Sequence, residues 1–415
     1  MESQHIDHLF RYHSGKMVSV LTRIFGLKHL DIIEDAVQDT FIKASLSWRT
    51  EQPDHPEAWL TKAAKNRVLD IFRKLKTAQK HLPNINQGTH SIAINDLFLD
   101  TEIEDAQLRM IFTACHPKLD PRDRISFALK TVSGFSIKEI ASALLTKEDT
   151  VKKRLSRARK TIQNSNIQFK IPQGKSLEPR LESVMEVLYL IFNEGFHSNK
   201  KEILIQKELC GEAIRLTQIL LKNKVTRTPD AYALCALMCF HASRIESKTN
   251  SENELLDLKH QDRSTWYFPL IKSGHTMMHK AVETDAFSCY HYEAAIANEH
   301  LKARAFEDTD WKNILHWYQC LNALRPMPSH LLTMAVICLQ TKDYKLAISY
   351  LNQLKPEDLG QRCYLFYGAK ADYYVAINNK KSALEHIELA LKHVTNDLEK
   401  KYLQNKKSKI ISKLN

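Results

Sequence analysis

The chain has 415 residues, 43% of them hydrophobic, so it can form two or three domains with their own cores. Its formal net charge of +12 favours an acidic partner, and nucleic acid is the commonest. There is no apolar run of membrane-spanning length and no signal-peptide pattern, so we expect a cytoplasmic protein that does not bind membranes. Glycine and proline are scarce and helical periodicity is widespread, which predicts an almost all-α protein.

A first helical block runs from His5 to about Leu75. One segment combines an apolar face with a strongly acidic one. The apolar face contains Ile32, Ile33, Ala36, Val37, Phe41 and Ile42. The acidic face contains Asp31, Glu34, Asp35, Gln38 and Asp39. Taken alone, such a charged face is more often simply solvated.

A second helix of this block is expected from Glu57, with Pro56 in its first turn. We expect Trp59 to pack in the core rather than to stack on a base, and Asp70 can pair with a neighbouring cation. The cations of this helix can hold a nucleic-acid backbone, while Asn66 offers a donor and an acceptor to an exposed base. The polar face consists of Lys62, Lys65, Asn66, Arg67, Arg73 and Lys74.

The stretch from 134 to 162 predicts a helix-turn-helix. Ser136 and Glu139 have the spacing of a capping box at the first helix. The second helix is expected to begin at Thr146, with Asp149 near its positive end. Its apolar residues are Val151, Leu155, Ala158 and Ile162.

The opposite face of the second helix suits a DNA groove. Arg157 is the best guanine ligand, because a guanidinium can bind guanine bidentately. The residues expected to contact bases are Lys152, Lys153, Ser156 and Arg157, and those expected at phosphates are Lys147 and Thr150. Arg154 and Arg159 can instead form surface ion pairs. A solvated basic helix in a bundle is the alternative interpretation.

Polar segments at 77–103 and 165–178 are typical of linkers. From Leu181 onward the chain is amphipathic and helical. The segment Tyr344–Ile348 is echoed by Lys380–Leu384, as in a tetratricopeptide-like helix pair. Antiparallel helical packing without a true array remains open. Cys235, Cys239 and His241 are interpreted as buried packing rather than as half of a metal site.

Both blocks carry motifs that resemble the extracytoplasmic-function (ECF) sigma factors of bacterial RNA polymerase. The matching segments are Glu34–Phe41, Pro56–Leu60, Ala64–Arg67 with Asp70, Arg73 and Lys74, Glu139–Ala141, Thr150–Leu155 and Arg157–Arg159. Further segments resemble a subgroup with a fused tetratricopeptide-like domain: Ile111–Pro117, Tyr189–Gly195, Gln261–Trp266 and Asp308–Trp311. Glu148 and Asp149 depart from the family pattern, where a small residue and glycine are common.

The resemblance implies a promoter-specific initiation factor. Its acidic face would bind core RNA polymerase, the helix from Glu57 would melt the downstream promoter element, and the helix-turn-helix would read the upstream one. It also implies five segments: region 2 at 1–76, a linker at 77–103, region 4 at 104–164, a linker at 165–178 and a regulatory helical domain at 179–415. The last would control the DNA-binding blocks in cis and could bind an unknown protein or ligand.

Two other functions fit parts of the sequence. A helix-turn-helix regulator with a sensor domain would bind an operator without acting as a sigma subunit. A scaffold would bind proteins through its helical repeats, with incidental basic blocks. An enzyme is the least favoured class, and we expect no cofactor or metal, because no phosphate-binding loop, ligand cluster or nucleophile motif is present.

Overall fold

The computed structural model describes residues 3–48, 53–78, 100–144, 146–196, 203–248, 256, 258–395 and 397–413. Every regular element within these ranges is a helix, and no residue there lies in a strand, so the expected all-α class is confirmed. The chain divides into two compact units, Met1–Arg227 and Thr228–Asn415. None of the described helices is long and apolar enough to cross a lipid bilayer.

Nine α-helices are described in the first unit. They are α1 (Ser3–Phe25), α2 (Leu30–Ser47), α3 (Pro56–Ala78), α4 (Asp100–Ala114), α5 (Pro121–Thr131), α6 (Ile137–Ala143), α7 (Glu148–Asn164), α8 (Leu177–Phe196) and α9 (Ile203–Lys222). Most of the linker expected at 77–103 lies outside the described residues.

The second unit also contains nine described α-helices. They are α10 (Pro229–Ala242), α11 (Phe268–Ala281), α12 (Cys289–Lys302), α13 (Trp311–Leu324), α14 (Pro328–Gln340), α15 (Tyr344–Asn352), α16 (Cys363–Ala376), α17 (Lys380–His393) and α18 (Asp397–Lys413). Cys235 and Cys239 are buried in α10, as expected of packing residues.

Helices α1, α2 and α3 form the N-terminal bundle. Leu21, Ile33 and Leu60 contribute one core residue from each helix and are fully buried. Helix α1 also packs against α4 and α5. Arg23 of α1 forms an ion pair with Asp105 of α4, with Nη1 and Oδ2 3.0 Å apart. The two basic blocks of the sequence are thus packed together in one unit.

The helix-turn-helix comprises α6 and α7, supported by α5. Its capping box is confirmed, because Ser136 N donates to Glu139 Oε2 at 2.7 Å and Glu139 N donates to Ser136 Oγ at 3.2 Å. The expected start of the second helix at Thr146 is wrong: α7 begins at Glu148 and Lys147 is its N-cap residue. The amide of Thr146 donates to Ala141 O at 2.9 Å, which places Thr146 in the turn that closes α6.

The structure divides the chain later than the sequence suggested. We expected a C-terminal domain from residue 179, whereas α8 and α9 belong to the first unit and pack against α4. Ser183 of α8 links two elements, accepting from Arg124 Nη1 at 3.2 Å and donating to Cys115 O at 2.8 Å. Val184 and Leu188 are fully buried, so these helices extend the core of the first unit.

The sequence echo in the second unit corresponds to a repeated helical hairpin. Helix α14 leads into α15, and α16 into α17, through turns with positive φ at Lys342 (61°) and Asn378 (58°). Asp343 and Asn379 then cap the second helix of each pair. Both pairs therefore use the same turn and the same type of cap.

Candidate nucleic-acid and polymerase interface

Helix α7 presents a basic, exposed face because its apolar stripe is anchored on α5 and α6. Val151 and Ala158 are fully buried, and Leu155 and Ile162 are nearly so. The exposed residues opposite include Lys147, Lys152, Lys153, Ser156 and Arg157, while Thr150 is half-buried. Lys152 Nζ lies 3.4 Å from Asp149 Oδ1, so one of the carboxylates that depart from the family pattern is near this basic face.

Arg157 has a structural partner that the sequence did not reveal. Its Nε donates to Asp123 Oδ2 at 3.1 Å and its Nη2 donates to Asp123 Oδ1 at 2.7 Å. Asp123 lies in α5 and its side chain is only 5% exposed. The hydrogen bond and the charge of Asp123 raise the pKa of Arg157. One bidentate edge of the guanidinium, formed by Nε and Nη2, is therefore occupied by a buried carboxylate.

The polar face of α3 is mostly exposed. Lys62, Asn66, Arg73 and Lys74 lie at the surface, whereas Lys65 and Arg67 are half-buried. Arg67 Nη2 donates to Asp39 Oδ2 at 2.7 Å, which joins a residue expected at DNA to one expected at polymerase.

Two further side chains of α3 behave as the sequence suggested. Asp70 accepts from Arg73 Nη1 at 3.0 Å, so it pairs with a neighbouring cation. The ring of Trp59 packs edge-on against Trp48 at a centroid distance of 5.6 Å, which is a packing role.

The acidic face of α2 continues into exposed apolar side chains. Asp31, Asp35 and Gln38 are exposed, and one and two turns further along the same face lie Ile42, 51% exposed, and Leu46, 58% exposed. The assignment of Ile42 to the buried face is thus wrong. The spacing of Gln38, Ile42 and Leu46 in steps of one helical turn was the sequence signal for this mixed surface.

One carboxylate of the acidic face is covered by α7. Arg159 of α7 pairs with Asp31, with Nε and Oδ1 2.5 Å apart, and donates through Nη2 to Glu34. The side chain of Glu34 is only 9% exposed. Burial raises the pKa of Glu34, although the charge of Arg159 lowers it. Arg159 does form an ion pair, as suggested, but with the residues expected to bind polymerase.

Comparison with known proteins identifies both blocks. Residues 9–77 match Sigma-70 region 2 and residues 109–162 match Sigma-70, region 4. Residues 180–282 match the family of unknown function DUF6596 instead of a tetratricopeptide family. These matches define the class of the protein as a sigma-70 factor with an appended helical segment. No solved structure gives a significant match.

Curated relatives indicate the type of sigma-70 factor. The uncharacterized protein R00370 of Rhizobium meliloti is 30% identical over 396 residues, which cover 93% of this chain and 91% of that protein. The ECF RNA polymerase sigma factor SigE of Mycolicibacterium smegmatis is 27% identical over 38% of this chain and 60% of its own length. The ferric citrate uptake sigma factor FecI of Escherichia coli is 26% identical over 37% of this chain and 85% of its own length. The chain belongs to the ECF-type sigma factors, in the same family as R00370.

Proposed function

We propose that the chain directs promoter-specific initiation by docking on core RNA polymerase through the exposed face of α2. The observation that carries this proposal is the surface on α2 that joins Asp35 and Gln38 to exposed Ile42 and Leu46. The acidic residues would speed and orient assembly on a basic partner. The exposed side chains of Ile42 and Leu46 would become buried on binding, and removing apolar surface from water drives association.

Transcription by purified components tests this proposal. Mapping transcription start sites after overexpression would identify a promoter to use as the template. We expect run-off transcription from this template by core polymerase only when the chain is added. The double variant Ile42→Ser with Leu46→Ser should lose this activity, while Lys43→Gln, an exposed substitution on the same helix, should keep it. A helix-turn-helix regulator that is not a sigma subunit could not direct initiation by core enzyme alone.

For the DNA contacts we propose a division between α3 and α7. Lys62, Lys65, Asn66, Arg67, Arg73 and Lys74 would serve the downstream element, and Lys147, Thr150, Lys152, Lys153 and Ser156 the upstream one. Arg157 is proposed to orient α7 through Asp123 instead of reading a guanine. Arg67 would act at DNA and also position Asp39.

The salt dependence of DNA binding tests the face of α7. Removing one lysine that binds a phosphate should reduce the slope of log affinity against log salt by about 0.9. The double variant Lys152→Ala with Lys153→Ala should therefore lower the slope by about 2 if both lysines bind phosphates. Lys175→Ala, an exposed lysine outside α7, is the matched control. An unchanged slope in the double variant would favour the scaffold interpretation.

We further propose that the C-terminal domain expected at 179–415 modulates activity in cis. Three features support this: α8 and α9 pack on the region 4 block, Arg159 covers Glu34, and the helix pairs of the second unit suit protein binding. On this proposal, the second unit is a tetratricopeptide-like domain that receives a protein or ligand signal. The carboxylate of Glu34 could then meet polymerase only after α7 leaves α2.

A further inference from the structure

A cleft of about 880 Å³ lies within the first unit, apart from the basic face of α7. Five segments line it: the middle of α4, the loop after α4, the connector at 165–176, the start of α8 and the loop after α9. Small-molecule sites in proteins typically have volumes of about 300–1,000 Å³. The cleft is thus large enough for a ligand of nucleotide size.

Three of the four lysine and arginine side chains that line the cleft have no acidic partner among the described residues. Lys118, Lys170 and Arg180 form no ion pair with any residue that the structure describes. The one carboxylate among the lining residues, Asp105, is already bound by Arg23 at 3.0 Å and Arg109 at 2.7 Å. The cleft therefore carries an excess of positive charge, which an anion would neutralise.

Arg180 and His116, both half-buried, add hydrogen-bond donors to the lining. Arg180 donates through Nη2 to the carbonyl of Phe112, and its buried Nε has no partner among the described residues. His116 Nδ1 accepts from the amide of Lys118 at 3.1 Å, which leaves the proton on Nε2 in the neutral ring. Burial lowers the pKa of His116 to about 4, and the charges of Arg180, Lys118 and Arg124 contribute to that decrease. The ring is thus a neutral donor in a positive field.

Amide and hydroxyl groups complete the lining. Ser165, Asn166, Gln168 and Gln173 come from the connector, and Asn223 from the loop after α9. Lysine and arginine side chains together with such neutral donors are the groups that bind phosphate oxygens in proteins.

We propose that this cleft binds a small molecule that carries two or more phosphate groups, held by Lys118, Lys170 and Arg180. The ligand bridges the region 4 block and the start of α8, because those residues come from both. It also fixes the connector that directly follows α7, the reading helix. This binding site is independent of the promoter contacts proposed above.

Calorimetric titration of the full chain with inorganic tripolyphosphate tests the site. We expect saturable binding that weakens about tenfold or more in Lys118→Gln with Lys170→Gln, since the change removes two charged hydrogen-bond donors. Lys43→Gln with Lys138→Gln removes the same charge from exposed positions outside the cleft and should change the affinity less than about twofold. Absence of saturable binding, or equal weakening by both double variants, would overturn the proposal.

Two further measurements locate the ligand and identify its source. Tripolyphosphate should slow amide hydrogen exchange across 165–176 in the unmodified chain, and unchanged exchange there would contradict the site. A short DNA duplex is the second probe. If Lys118→Gln with Lys170→Gln weakens duplex binding as strongly as tripolyphosphate binding, and tripolyphosphate displaces the duplex, the cleft serves DNA phosphates and the small-molecule assignment is wrong.

Discussion

At the scale of single residues, two arginines of α7 bind carboxylates on other helices, and one of these contacts joins the two sigma regions. Arg157 holds Asp123 within region 4, whereas Arg159 reaches across to Asp31 and Glu34 of α2. Both Asp123 and Glu34, which accept hydrogen bonds from these arginines, are largely buried. Breaking such a pair leaves a charge without compensation, which is more costly than the pair is stabilising.

We expect Arg159→Gln to tighten binding to core polymerase by about fivefold or more, the lower range of ordinary allosteric coupling. The change removes the cation that pairs with Glu34, a carboxylate whose pKa is already raised by burial. The contact between α7 and this carboxylate is therefore destabilised. Lys160→Gln, an exposed neighbour on α7, serves as the control in the same fluorescence-anisotropy titration. Equal or weaker binding by Arg159→Gln would mean that α7 does not mask the docking face.

Arg157→Ala should lower the melting temperature of the chain, because Asp123 stays buried without its partner. Ser156→Ala, the adjacent exposed change, should leave the melting temperature nearly unaltered. Thermal unfolding followed by circular dichroism distinguishes the two. A variant that melts normally yet loses preference for one base pair in its site would restore Arg157 as a guanine ligand.

At the scale of elements, α1 is the bridge between the sigma regions. Gly15 lies against the end of α5, and a Cβ placed there would come within 1.8 Å of the carbonyl oxygen of Val132. The atom it would meet belongs to the backbone, so the helices themselves must separate. A glycine inside a helix is ordinarily unfavourable, and here it permits a close approach.

Gly15→Ala should therefore destabilise the contact of α1 with α5, by about 1–3 kcal/mol as for other overpacked sites. Gly211→Ala in α9 is a matched control, since a Cβ there meets nothing within 4 Å. It should stabilise the chain by about 0.4–1 kcal/mol. Chemical denaturation measures both values. If Gly15→Ala were as stable as its control, the close packing of the two regions would be refuted.

At the scale of the whole molecule, the division at residue 227 separates two bodies with their own cores. The appended segment therefore contributes two helices, α8 and α9, to the unit that contains the sigma regions. Leu181, Val184, Leu188 and Ile191 of α8 are buried there. Each such side chain contributes about 1.5–3 kcal/mol on burial.

Two truncations should behave differently. A chain ending at residue 227 retains all of the first unit and should unfold cooperatively, whereas one ending at residue 177 lacks α8 and α9 and should aggregate or bind a hydrophobic dye. Light scattering and denaturation compare them directly. Cooperative unfolding of the shorter chain, with the stability of the longer one, would show that α8 and α9 are dispensable for the fold.

The sequence by itself determined the helical class, the capping box at Ser136 and the order of the two sigma regions. Those properties depend on periodicity, cap chemistry and short motifs, which act over a few residues. It also placed the cations of α7 on the exposed face, because the apolar residues occupy the opposite face of the helix.

Only the tertiary structure decided which charges are paired and where the units divide. Asp123 and Arg157 lie far apart in the chain, as do Glu34 and Arg159, and no local pattern links them. The exposure of Ile42 and the membership of α8 in the first unit likewise depend on what packs alongside. An apolar stripe shows which face of a helix is buried. It does not show which other helix packs against that face, because that depends on contacts between residues far apart in the chain.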